Sequence, residues 1–509
     1  MINSKARLAL LSSVSTAIFA CIVPGTAFAQ STTCSQSGNI ITCTDGTTTV
    51  LSATASPGKS TVPGPGLVTV NTTSPSTIDY SGTGPISTTG VRAVNLTSTG
   101  GALIFVPVTN AAPVDVRTTG GVGANGVTLN TSGQAATVTV GNVSTSGTNS
   151  SGVLSSGGTD LTLRTGSITT TGATSRGIQA AQTGSLNINA GNLSTTGRAI
   201  SVSAGSTSNA TVVSGNVVAS GGGVLVNGGT VSVTTGDVTT VNNGTVFGGF
   251  GVAGQSFGGN VSVRTGAVST VNGAGIFATA FNATTGNVDV SGCPTVSTTG
   301  NNSSAIVARA TGTGNVTINC GALTTTGNGS NGVFSSSNGG NMTVNITSAT
   351  TAGTGAFGLT ASTTNAGNVT VNAGVITTTG IGSTGLFSRA GTGTIDAGYG
   401  NITTSGVGAG VNTAGALDLA STGAINLRGS GATLQTNGAG VTAAVITGAG
   451  VTGNLGNVTT TGAGSQGALI TSTAPVNLII GNVATTGNGV TVNADTNAVT
   501  LATGTVTAT

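Results

Sequence analysis

The sequence predicts an all-β fold: a right-handed parallel β-solenoid (β-helix) of about 17 coils, with three short strands per coil and a period of about 26 residues. Three observations carry that reading. Strings of the form G-N-V-T-T-T-G recur from Gly84 onward, as GPISTTG at 84, GNVSTSG at 141, GSITTTG at 166, GALTTTG at 321, GVITTTG at 374 and GNVTTTG at 456. Looser copies fill the gaps, including degenerate ones near 347 and 423. A second anchor, a small residue followed by an aliphatic, repeats at the same interval, as in GVTL at 126, GIFA at 275, GVFS at 332, GLFS at 385 and GVTA at 440. The third segment alternates with period two, as at Val138 and Val140, Leu161 and Leu163, or Val369 and Val371, which is the mark of a strand. No stretch is rich enough in helix formers for a helix.

A coil of this length offers an aliphatic face from each strand and nothing of its own to cover it, so stability has to come from stacking on its neighbours. Right-handed winding follows from the usual hand of parallel crossover connections. Tandem sandwiches would repeat at about 100 residues, and collagen needs Gly at every third position. Neither fits.

The 509 residues divide into three parts. Residues 1–29 read as a signal peptide: Lys5 and Arg7 precede an apolar run from Leu8 to Val23, and Ala27-Phe28-Ala29 supplies the small-x-small cleavage pattern. Export across the inner membrane is the expectation. Residues 30–80 read as an N-terminal cap, in which Cys34 and Cys43 flank a turn at Ser37-Gly38-Asn39 and pin a hairpin with a disulfide. A Pro/Gly/Ser/Thr-rich stretch completes the cap from about Ala55 to Tyr80. Residues 81–509 form the solenoid. Within it Cys293 and Cys320 each stand three residues before an anchor aliphatic, Val296 and Leu323, and so share one position on consecutive coils. Stacked positions lie about 4.8 Å apart, inside the span of a disulfide, and an oxidising compartment favours the bond.

The composition removes most chemistry. Lys plus Arg number 12, Asp plus Glu 9, His and Trp none, and every acid is Asp. Charged residues make up 4% of the chain, against about 25% in an ordinary domain. Ser-His-Asp triads, His-based zinc sites and Glu general acids are excluded. Without Lys5 and Arg7 the formal charge falls to +1, too weak for a nucleic-acid footprint. No metal or cofactor is expected, because the two Cys pairs are far apart and no His supplements them. A β-helix carbohydrate lyase or hydrolase would have to build its site from Asp alone, and Asp237, Asp289, Asp396 and Asp418 do not fall in pairs on one face. The string Gly121 to Gly126 matches a dinucleotide fingerprint, but no helix follows it. Phe277, Phe334 and Phe387, each just after a second-anchor aliphatic, read as isolated apolar packers or surface residues rather than a ligand-stacking stripe.

In the anchor strand the aliphatic points inward, so the residues one and three beyond it point out. These are Thr169 and Thr171, Ser194 and Thr196, Ser297 and Thr299, Thr324 and Thr326, Thr377 and Thr379, and Thr459 and Thr461. They make a two-column hydroxyl ladder similar to the Thr arrays of β-solenoid ice-binding proteins, interrupted by Arg117, Val218, Val241, Val271 and Arg428. An ice-like lattice or a polysaccharide is the ligand such a ladder would take.

A secretory signal, a Cys pair just after it and long GNVTTTG-type coils make the mature chain resemble the passenger region of Gram-negative autotransporters and related surface β-helix adhesins. The resemblance implies export, translocation across the outer membrane, and display at the cell surface or release outside the cell. It implies a structural or adhesive role without a catalytic site, a host-surface or polysaccharide ligand, and an outer-membrane translocator barrel as partner. Family members end in that barrel. This chain ends at Thr509 in mid-repeat, so the barrel is expected to be missing from it or to be a separate chain.

The last segments, GVTVNA at 489 and AVTLATGTVTAT at 498, keep the aliphatic alternation with no Lys, Glu or Pro to block pairing. Self-association or fraying through this uncapped coil is the expectation. Hydrogen exchange should show weak protection from about Gly481 onward in monomer and strong protection between Gly141 and Gly400; uniform protection with monomeric sedimentation would contradict it.

Overall fold

The computed structural model describes residues 85–107, 112–241, 249–281, 285–406 and 414–509, together with the backbone of six short strands between Phe28 and Tyr80. The predicted signal peptide lies outside the described residues except for the strand Phe28–Ala29. The chain is a parallel β-solenoid of about 15 turns, with three strands per turn, a period of about 26 residues and no helix among the described residues. It divides into two compact units, Met1–Gly221 and Gly222–Thr509.

Each turn runs through a second-anchor strand, an alternating strand and an anchor strand, and each pairs in parallel with its counterpart one turn on. In the first unit the anchor aliphatics Ile86, Val116, Val143, Ile168, Leu193 and Val217 stack in register. The second-anchor residues Val94, Val127, Val153, Ile178 and Ile200 do the same. So do Leu103, Ala136, Leu161, Leu186 and Ala210 of the alternating strands. All are buried. Pairing also reaches N-terminal of residue 81, where Val68–Thr72 pairs with Val94–Ser98 and Ser76–Tyr80 with Leu103–Pro107.

The second unit repeats the plan. Its anchor column runs Val238, Val268, Val296, Leu323, Ala349, Ile376, Ile402, Leu434, Val458 and Val483. In the turns Val288–Thr298, Val316–Thr325, Met342–Thr351 and Val369–Thr378 the alternating and anchor segments join into one continuous strand. In the last turn the counterparts of these core residues, Val499, Leu501 and Val506, are exposed.

One degenerate repeat is displaced from its expected place. The copy near 423 is the alternating strand Ala424–Arg428, whose Ile425 stacks on Ile395. The anchor of that turn is Thr433–Thr436, with Leu434 on Ile402. Arg428 therefore lies on the alternating face and does not interrupt the hydroxyl columns. Similarly Ala444, not Val441, stacks on Leu417. Equivalent corner residues Asn401 and Thr433 are 32 apart, so this turn is longer than the period and slides the repeat string off register.

The corners explain the Asn of the repeat. A short carboxamide just before a strand accepts the backbone N–H of the same position one turn on, satisfying a donor that the strand ladder does not reach. Asn142 takes the N–H of Ser167 at 2.8 Å and Asn192 that of Asn216 at 2.8 Å. In the second unit Asn287, Asn315 and Asn341 accept from Asn315, Asn341 and Asn368 at 2.8, 2.8 and 2.9 Å. Each link is worth roughly 1 kcal/mol net.

The Gly of the second anchor answers a steric demand. A Cβ on Gly358 would lie 2.4 Å from Ile376 Cγ2 and 2.6 Å from the Gly385 carbonyl oxygen of the next turn. We expect Gly358→Ala to cost about 1–3 kcal/mol by overpacking. Gly355→Ala, at φ +63 with open space around it, should cost only about 1 kcal/mol of left-handed strain. Urea unfolding of the two variants checks the difference.

Candidate functional site

The anchor face carries the predicted ladder. Thr169, Thr171, Thr324, Thr326, Thr379 and Thr461 are exposed, and Thr377 and Thr459 are half-buried. In the second unit the first outward column is continuous through Ser269, Ser297, Thr324, Thr350, Thr377, Thr403, Gln435 and Thr459. The outer column is partly engaged by the protein itself: Thr326 donates to the Thr299 carbonyl at 3.4 Å and Thr461 to Asn437 Oδ1 at 2.9 Å.

Between the two outward columns runs a third, buried one that sequence reasoning missed. It was readable from parity, since the residue two beyond an inward aliphatic is itself inward. Thr170, Thr325, Thr351 and Thr460 donate to the carbonyl five residues on, that of Ser175, Ser330, Ala356 and Ser465, at 3.1, 2.6, 2.9 and 3.2 Å. These bonds close the corner after each anchor strand. Ser175, Ser330 and Ser465 then donate to carbonyls of the preceding turn, at 2.8, 2.8 and 2.6 Å. Thr240, Thr378 and Thr436 occupy the same buried column without a hydrogen-bond partner.

The carboxylates are dispersed. Asp115, Asp160 and Asp237 stand in for corner Asn, accepting the backbone N–H of Asn142, Ser185 and Ala267 at 2.6, 2.6 and 2.8 Å. Asp396 pairs with exposed Arg428 at 2.7 Å on the alternating face, and buried Asp418 with Arg389 at 2.8 Å on the second-anchor face. Asp289 Oδ2 accepts from Ser291 at 3.4 Å. Among the described residues no three potential metal ligands gather.

Cys293 and Cys320 are register partners and form a disulfide with Cα atoms 4.8 Å apart. Cys34 and Cys43 face each other across the antiparallel pair Cys34–Ser37 and Ile40–Cys43; their side chains lie outside the described residues. Beside the Cys293–Cys320 bridge, where the alternating strand bends into the anchor strand, runs an open groove of about 460 Å³ bordered by Asn319, Asn345 and Asn372.

Phe277, Phe334 and Phe387 prove not to be isolated. They are half-buried and share one outward column of the second-anchor sheet on alternate turns, separated by Val307 and Thr360. The guanidinium of Arg309 lies 4.6 Å from the Phe334 centroid and that of Arg389 4.0 Å from Phe387. The residue-by-residue reading failed because the column appears only once the turns are in register.

No protein-family model, curated protein or solved structure matches the chain.

The buried column makes a prediction with its own control. Thr325→Val orphans the Ser330 carbonyl and should cost about 1–3 kcal/mol. Thr378→Val removes an unpaired buried hydroxyl and should leave stability unchanged or raise it. Denaturant midpoints of the two variants measure this.

Proposed function

We propose that the chain is an exported, surface-displayed β-solenoid with a structural or adhesive role, moved across the outer membrane by a translocator barrel and carrying no catalytic site. The observation that carries this reading is the outward column from Ser269 to Thr459, uncharged throughout and a hydroxyl at every position except Gln435. A face of uncharged, regularly spaced hydroxyls suits repeated weak contacts with an extended surface. The use of Asp115, Asp160 and Asp237 as corner acceptors and of Asp396 and Asp418 as ion-pair partners fits the same reading. The N-terminal apolar run and small-x-small pattern support export.

A second reading takes the same column as a binder of an ice-like lattice or a polysaccharide. Recrystallisation inhibition at micromolar protein would favour it, and no effect would remove the ice form. For the main reading, the chain expressed with its own leader and a barrel partner in a Gram-negative host should begin at Gln30 when mature and be removed from intact cells by added protease. Cytoplasmic retention of the uncleaved chain would contradict it.

A further inference from the structure

We propose that the groove beside the Cys293–Cys320 disulfide binds an extended acidic polysaccharide along the stacking direction, about one sugar per turn, with a carboxylate held at the Asn319 end. The proposal rests on the adhesive reading and names a ligand class for it. The floor is apolar, built from Pro294, Ile346 and the disulfide, of which Ile346 and both cysteines are buried. One wall is the row Asn319, Asn345 and Asn372, which are register partners on consecutive turns. An apolar floor beneath a polar wall suits a sugar, which presents C–H groups on one side and hydroxyls at its edge.

The amides form a chain whose direction is forced. Arg428 Nη2 donates to Asn372 Oδ1 at 2.7 Å, and a guanidinium has only donors, so the atom it meets must be the oxygen. Asn372 Nδ2 then donates to Asn345 Oδ1 at 2.7 Å, and Asn345 Nδ2 to Asn319 Oδ1 at 2.6 Å. Arg428, itself paired with Asp396, stands at the head of the chain, and each bond polarises the next toward Asn319. The row therefore ends in an amide donor at Asn319. Arg264 borders the same end: its guanidinium carbon lies 3.6 Å from where a Cβ on Gly292 would stand, and it is exposed and without an ion pair among the described residues. A polarised N–H at Asn319 and, two turns away in register at the Gly292 edge of the groove, a guanidinium together favour an anionic ligand, and a carboxylate is the common anion on a glycan.

Spacing chooses the polymer. Each inner amide keeps one N–H and one lone pair beyond those used in the row, so the wall repeats a donor and an acceptor at every turn, 4.8 Å apart at the adjacent disulfide. An extended β-linked sugar chain advances by close to the same step per residue and, because successive residues present opposite edges, offers the wall vicinal hydroxyls and ring or carboxylate oxygens in alternation.

The test uses the full mature chain with two probes of like linkage, β-1,4-hexamannuronate and uncharged cellohexaose, titrated calorimetrically at low and high salt. Hexamannuronate should bind, weaken as salt rises, and exceed cellohexaose by roughly tenfold or more, the worth of one charge-assisted contact. Asn345→Leu and Arg264→Ala should each weaken it roughly tenfold, Arg264→Lys should recover part of the loss, and Thr471→Ala, exposed on the second-anchor sheet away from both the groove and the ladder, should change nothing. Arg264→Ala alone decides the matter if Asn345→Leu perturbs folding. Equal binding of cellohexaose, unchanged affinity in Arg264→Ala, or no binding at about 1 mM would overturn the proposal. Failure of the surface-display experiment with binding intact would instead count against the adhesive reading alone.

Discussion

Every feature of this molecule depends on in-register parallel stacking of one turn on the next. A single turn cannot cover its own aliphatic side chains completely; Val143 is sealed because Ile168 stands above it and Val116 below. The backbone bonds and the apolar contact are made by the same step, so neither forms without the other. This is why a chain so poor in charge holds together. Hydrophobic burial is carried by small β-branched and aliphatic residues that repeat at one position, and Gly358 and its equivalents let the neighbouring turn approach.

The shortage of ionisable groups has its structural counterpart at the corners. Where many proteins tie surface turns with ion pairs, this one uses a neutral acceptor, the Asn carboxamide, and a buried Thr hydroxyl. The three Asp residues at those corners make the same backbone contact as Asn, so their charge is incidental to the bond. The two ion pairs among the described residues lie elsewhere, each linking the outer faces of neighbouring turns.

Much of the fold was legible because inward residues repeat chemically: period, strand count per turn, outward Thr positions and the alignment of Cys293 with Cys320 all follow from aliphatic anchors. What escaped is what depends on the third dimension. The Thr325 column is spelled by the same letters as its exposed neighbours Thr324 and Thr326, and only parity separates them. The row Asn319, Asn345 and Asn372 falls in segments read only for their Val and Ile. The turn after Ile402 is not found from the repeat strings because its length departs from the period.

The extra residue at Gly292 bears on how such a sequence keeps time. Between Ser291 and Cys293 the pairing shifts by one, with Gly292 at φ +76 bulged out, and beyond it Cys293 meets Cys320 and Val296 meets Leu323 as though nothing had been added. In a strand of period two, an uncorrected insertion would turn each later aliphatic toward solvent. The bulge confines the error to a single step. At this turn, then, the repeat length can differ by a residue without loss of phase.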